Sequence, residues 1–141
     1  MTVDCYNQFK ESLFLGKINM TTDTIKVALI GTGYAFSKDG NLGLADITAQ
    51  EIVAANYVTG GATLTNPTVT QDDTNDLAQF NGTDITWTSL GAANIYHAVM
   101  YDDTAATPVA DPLMIHWPIT TNSNGGNYTL QWSATGILTL S

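Results

Sequence analysis

His97 and His116 are the two imidazoles of the chain, and two imidazoles are the minimum for a shared metal or an acid–base couple. Each sits inside an apolar, aromatic-rich run, IYHAVMY over 95–101 and LMIHWPI over 113–119. Nothing in their spacing requires them to meet, and the simpler reading is a side chain at the edge of a core or an interface. Ser12, Ser37, Ser89, Ser123, Ser133 and Ser141 lie in helical or polar-turn contexts, none in a G-x-S-x-G elbow and none beside a base. Gly31-Thr32-Gly33 lacks the third glycine and the following helix that a dinucleotide site needs, and no phosphate-cradling P-loop is present.

The carboxylates offer a second chemistry. Asp72, Asp73, Asn75 and Asp76 supply the oxygen ligands that calcium takes. They lack the alternate spacing, the glycine and the distal glutamate of an EF-hand loop. Asp and Asn are also what a hairpin turn selects, because their side chains bond the local backbone. A glycosidase would need two carboxylates facing each other across a cleft, whereas the acids here read as turn residues. Cys5 is a lone thiol, which excludes an internal disulfide and reads as a small side chain beside a helix start. The expectation is therefore no catalytic residue, no metal site and no cofactor. The aromatics Trp87, Tyr96, Tyr101, Trp117, Tyr128 and Trp132 leave two options. They line a sugar-binding face, or, given aliphatic neighbours of the same strand parity, they fill a core or a subunit interface.

These residues must be positioned by elements that the pattern reveals. Tyr6, Phe9, Leu13 and Lys17 recur at helical spacing, predicting a short amphipathic helix over about 4–18, with Asp4 as N-cap and Gly16 near its end. Beyond it, β signals dominate. The strand TIKVALI over 24–30 is followed by a Gly/Asn-rich loop over 31–44, which Tyr34 and Phe36 are expected to pin to the body. The stretch 45–55 fits either a helical turn or an extended crossing. Pro67 interrupts the alternation of 63–71, marking an edge, a bulge or a break. Two alternating runs flank the five turn residues 72–76 and spell a hairpin. Further strands follow at ITWTSL, at the two histidine-bearing runs, the second ending near Pro118, at YTLQW and at ILTL. Roughly eight short strands with turns every 8 to 12 residues predict a mainly β fold, an antiparallel β-sandwich with a short N-terminal α-helix. No repeat and no domain boundary interrupts the 141 residues, so 1–141 reads as one domain.

Charge narrows the function classes. All four basic residues, Lys10, Lys17, Lys26 and Lys38, fall in the first 38 positions, where three acids offset them. The remaining 103 residues carry ten acids and no lysine or arginine. Such a surface cannot neutralise phosphates, which excludes nucleic acid and disfavours anionic membranes. Hydrophobic residues make up 44% and charged residues 12%, about half the usual charged fraction, so the chain is neither disordered-like nor membrane-spanning. The opening MTVDCYNQFK lacks the uninterrupted apolar segment of a signal peptide, so no secretion route is legible. The expected partner is protein. The N-terminal segment is the one near-neutral part, and its helix carries apolar residues on more than one face. Tyr6, Phe9, Lys10, Leu13, Lys17 and Lys26 are therefore the candidate partner-binding residues.

Segment order adds a resemblance. YNQFKE over 6–11 and LGKIN over 15–19 run into TDTIKVAL over 22–29. YVTGGATL over 57–64 and VTQDD over 69–73 precede Ile85-Thr86-Trp87, and the chain closes with YTLQW over 128–132 and GILTL over 136–140. Together these segments span almost the whole chain, and it resembles a family of small structural proteins of tailed bacteriophages. The resemblance implies a non-enzymatic virion component made in the host cytoplasm, with capsid decoration, or cement, as the preferred role. It implies the major capsid protein as partner and self-association as a homo-oligomer such as a trimer. A tail or head–tail connector component is the first alternative. A carbohydrate-binding module is the second, from a different class.

Overall fold

The longest strands are those with the most continuous apolar runs, and they form the centre of the molecule. The computed structural model describes residues 3–141. Along the described chain come β1 (Asp4–Cys5), α1 (Asn7–Phe14), β2 (Ile25–Ile30), β3 (Ala62–Thr63), β4 (Thr68–Asp72) and β5 (Leu77–Asn81). They are followed by β6 (Ile85–Trp87), β7 (Asn94–Asp102), β8 (Leu113–Asn122), β9 (Tyr128–Leu130) and β10 (Leu138–Leu140). All pairings are antiparallel: a five-stranded sheet ordered β1-β8-β7-β2-β3, a three-stranded sheet β10-β5-β4 and a two-stranded sheet β6-β9.

The five-stranded sheet is covered on both faces, which is why β2 is buried along nearly its whole length rather than alternating. Val27, Leu29, Met100 and Trp117 on one face join Phe80, Ile85, Trp87 and Leu130 of the smaller sheets, with Ile137 just ahead of β10, in the main core. This is the sandwich-like layer expected from the strand spacing. On the other face Ala28, Ile30, Val99, Tyr101 and Leu113 form a second apolar cluster with Ile47, and Tyr34, Phe36 and Leu44 pack onto it. Its cover is the segment 31–50, so Tyr34 and Phe36 do pin that loop. The ambiguous stretch resolves into two 3-10 turns, Leu44–Asp46 and Thr48–Gln50, followed by an extended bridge from Glu51 to Ile30. Glu51 ties the crossing down: its Oε1 accepts from Tyr57 Oη at 2.5 Å and from the Gly60 amide at 2.7 Å.

Four local expectations need correction. The helix is shorter than 4–18 and Asp4 does not cap it. Asp4 and Cys5 pair with His116 and Ile115, which satisfies backbone groups that a helix start would leave open. Tyr6, in extended conformation and with no side-chain cap bond, precedes the first turn instead. Among the described residues the strands number ten, because the two-residue β1 and β3 add edge partners too short to show a period. β8 continues past Pro118 to Asn122. Among the described residues β1 pairs with β8 no further than His116, and a register shift in β7 between Ile95 and His97 accommodates Pro118. β9 ends at Leu130, because the Trp132 amide donates to Asp84 Oδ1 at 2.9 Å instead of to a ladder. Pro67 does separate β3 from β4. Gly61 must be glycine: its φ is +77°, and a Cβ there would lie 1.9 Å from the Val27 carbonyl oxygen.

Candidate functional site

The N-terminal segment is held at both ends before it presents anything to solvent. β1 hydrogen-bonds to β8, the Tyr6 amide donates to the Met114 carbonyl at 3.1 Å, and the Asn7 amide donates to the Lys38 carbonyl at 2.9 Å. α1 then runs for two turns and closes with amide donation from Gly16 to Leu13 and from Lys17 to Ser12, Gly16 sitting at φ +62°. The inward face of α1 is Gln8, Phe9 and Ser12, with Gln8 Nε2 donating to Ser12 Oγ at 3.3 Å. Tyr6 and Phe9 are essentially inaccessible, so these two candidate residues hold the segment to the body and do not offer contact area. The apolar side chains left outside are Phe14, 93% exposed, and Leu15, 54% exposed. The excess of apolar residues over one helical stripe is thus real, and Phe14 is the residue that carries it.

Leu13 and Phe14 form one wall of an apolar groove of about 410 Å³, with Cys5 and Phe9 at its base and Leu138 and Leu140 of β10 opposite. Lys10 stands at its rim. The groove continues along the face of the three-stranded sheet that turns toward the core. There the register lines up Val69, Phe80 and Leu138 in one row and Gln71, Ala78 and Leu140 in the next. Phe80 is covered by the body, but the sheet overhangs it, leaving Val69 at 51% and Leu140 at 60% exposure. β4 has little cover along its length, and beyond Leu77 the surface ends in the acid turn with Asp72, Asp73 and Asp76. An apolar centre thus has a cationic rim on the helix side and an anionic rim on the hairpin side.

The cations divide into two kinds. Lys26 pairs with Asp103 at 2.8 Å and Lys38 with Asp4 at 2.8 Å, so these two have partners inside the fold. Lys10 reaches the Asn7 amide oxygen at 3.4 Å, and among the described residues neither Lys10 nor Lys17 has a carboxylate within ion-pair distance. Of the six candidates, Lys10, Leu13 and Lys17 are therefore the ones available to a partner, and Phe14 joins them.

The two histidines meet. β7–β8 pairing sets His97 opposite Pro118 and His116 opposite Val99, which makes the imidazoles diagonal neighbours, with His97 Nδ1 2.9 Å from His116 Nε2. No one-dimensional spacing shows this; the strand register does. The pair lies under the 31–50 segment. Phe36 stacks on His116 at 4.0 Å between centroids, and Tyr34 meets His97 edge-on at 5.0 Å while exchanging a 2.6 Å hydrogen bond with Tyr6. Burial, reinforced by neighbouring His97, lowers the His116 pKa to about 4, and burial also lowers that of His97. Among the described residues His116 Nδ1 is buried without a hydrogen-bond partner, 4.0 Å from Asp4 Oδ2. The short contact fits one shared proton between two neutral rings, since two N–H groups would oppose each other. Among the described residues no third His, Cys, Asp or Glu completes a metal set around them. The pair is a packing and hydrogen-bonding element beneath a cover.

The acid turn behaves as turn chemistry. Asp72 Oδ1 accepts from the Thr74 and Asn75 amides at 3.1 Å each, and its Oδ2 accepts from Asn75 Nδ2 at 2.8 Å. The Asn75 side chain, ahead of the backbone donors, holds the Asp72 carboxyl below its usual range. The tryptophans make no open platform. Trp87, Trp117 and Trp132 are each under a tenth exposed, Trp117 and Trp132 pack at 5.2 Å, and Trp132 Nε1 donates to the Thr83 carbonyl at 3.0 Å. The Cys5 thiol is pushed up in pKa by burial, the environment of an unreactive side chain. No helix among the described residues is long and apolar enough to cross a membrane. Comparison with models of protein families, with curated proteins and with solved structures finds no match for this chain.

Proposed function

We propose that this chain is a non-enzymatic structural protein of a tailed-bacteriophage virion, a capsid decoration protein that binds the major capsid protein lattice and stabilises the head. The observation that carries the reading is the surface built by α1 and β10. It offers a fully presented Phe14, a contiguous apolar groove and Lys10 at its edge, on a protein whose later two-thirds carries no cation. Contiguous exposed apolar area rimmed by charge is what protein contact uses. A lysine edge lets a strongly acidic protein approach an acidic shell. Stabilisation would come from apolar area removed from water at capsomer joints, roughly 25 cal/mol per Å² before association costs. The resemblance in segment order supplies the virion context, and the buried tryptophans speak against the carbohydrate-binding alternative.

The test replaces Lys10 and Lys17 with Glu and measures occupancy on purified empty shells at low and moderate salt. Weakened occupancy with a smaller salt dependence is expected, because screening acts on those charges. Unchanged occupancy at both salts, with the fold intact, would remove electrostatic docking through this segment. A tail or connector role would appear as binding to tail structures and none to shells.

A further inference from the structure

We propose that residues 32–41 form a flap clasped by the His97–His116 pair, and that acid releases this flap while the sheets stay folded. The device does not depend on the virion reading. The cover 31–50 is tied down unevenly. On either side of the flap the chain is bound backbone to backbone. The Leu113 amide donates to the Leu42 carbonyl at 2.9 Å, the Leu44 amide to the Asp111 carbonyl at 3.0 Å and the Gly31 amide to the Gln50 carbonyl at 2.8 Å. Among the described residues, 32–41 has one such tie to the body, from the Asn7 amide to the Lys38 carbonyl at 2.9 Å. Its other attachments are side chains gathered around the imidazoles. Phe36 stacks on His116, Tyr34 meets His97 and bonds Tyr6 Oη, and Lys38 pairs with Asp4 at 2.8 Å.

A proton added to this cluster acts on the clasp itself. His97 Nδ1 and His116 Nε2 lie 2.9 Å apart, and a proton on each sets two donors against each other. The other His116 nitrogen faces Asp4 Oδ2 at 4.0 Å, and Asp4 is the carboxylate that holds Lys38. An imidazolium and the Lys38 ammonium then compete for one carboxylate. The other elements packed on the pair do not relieve this. The sheet brings Ala28, Ile30, Val99 and Leu113, and burial raises the pKa of Tyr6 and Tyr34, so both phenols stay neutral. Lys10 of α1 turns to Asn7, and Asp39 of the flap accepts from Ser37 Oγ at 3.0 Å. Lifting Tyr34 and Phe36 uncovers Tyr6 and Val99, an apolar surface that neutral pH keeps closed.

The pair holds protons less tightly with the flap closed than with it open. Closure is therefore complete above about pH 6.5 and is lost as pH falls toward about 4. With the ordinary 6.5 for His116 in the opened state, the opening constant rises about 30-fold between pH 8 and pH 5. The test is hydrogen exchange of the full chain, resolved to single amides by NMR at pH 8 and pH 5 and expressed as protection factors. Asn7, whose amide is held by the flap, should be less protected than β2 and β7 at both pH values, and should lose about 30-fold between them. His97→Gln together with His116→Gln should abolish that step. Phe36→Ala removes only the ring stacked on the pair and decides the matter should the double variant not fold. It should lower Asn7 protection at pH 8 and shrink the step. Asn7 protection as high as that of the strands would mean opening only with global unfolding, and would overturn the proposal. So would protection independent of pH, a step that survives in a folded double variant, or wild-type protection in Phe36→Ala.

Discussion

Acidifying the protein from pH 8 to pH 5 should expose the cost of keeping His116 neutral. The imidazole holds its proton less tightly in the fold, with a pKa of about 4, than in the unfolded chain, where the ordinary value is 6.5. The unfolded state therefore binds more protons over that window. Stability is complete above about pH 6.5 and is lost as pH falls toward about 4. Working the linkage at pH 5 gives a loss of about 2 kcal/mol from this one group. His97 acts in the same direction. Asp102 acts against both. Burial, partly offset by amide donation from Thr104 and Ala105, raises its carboxyl pKa, so its contribution grows on acidification. The wild-type slope is the difference of these effects, and Asp102→Asn isolates the histidines, because an amide oxygen can still accept from both backbone donors. Urea unfolding of Asp102→Asn at pH 8 and pH 5 should show the loss of about 2 kcal/mol, and adding His97→Gln and His116→Gln should remove most of it. An Asp102→Asn protein at least as stable at pH 5 as at pH 8 would refute the buried, neutral His116.

Three further outcomes follow from packing and turn chemistry. Gly61→Ala should cost about 3 kcal/mol or prevent folding, read as a fall in Tm, because it adds a left-handed strain to a clash with the Val27 carbonyl. Phe9→Ala should cost about 3–5 kcal/mol in urea unfolding, for a buried ring, while Phe14→Ala should change stability by less than about 0.5 kcal/mol. A chelator should leave Tm within about a degree or two, because Asp72 is engaged by the amides and side chain of its own turn; a large drop restored by calcium would reverse that assignment.

Legibility in the sequence follows the range of the interaction concerned. The β4–β5 hairpin is readable because its turn residues act within five positions of one another. The break at Pro67 and the anchoring of the loop by Tyr34 and Phe36 are readable because each depends on a residue's own chemistry. Asp4 misleads for the opposite reason: its local preference for a helix cap loses to pairing with His116, over a hundred positions away. The His97–His116 contact needs the β7–β8 register, which periodicity does not supply. The candidate surface is half legible. An apolar excess in the N-terminal helix points to a contact, but choosing among Tyr6, Phe9 and Phe14 requires the angle at which α1 meets β8. The contribution of β10 and β4 to the same groove requires the sheet order.

The most direct measurement of the proposed capsid role is a map of virus particles purified from the source of this chain, at a resolution that places domains. The expected result is density matching this antiparallel fold on the outer face of the capsid, at local symmetry axes, with the α1–β10 surface turned into a contact and not into solvent. Density stacked along the tail axis, or purified particles that lack the chain, would contradict it.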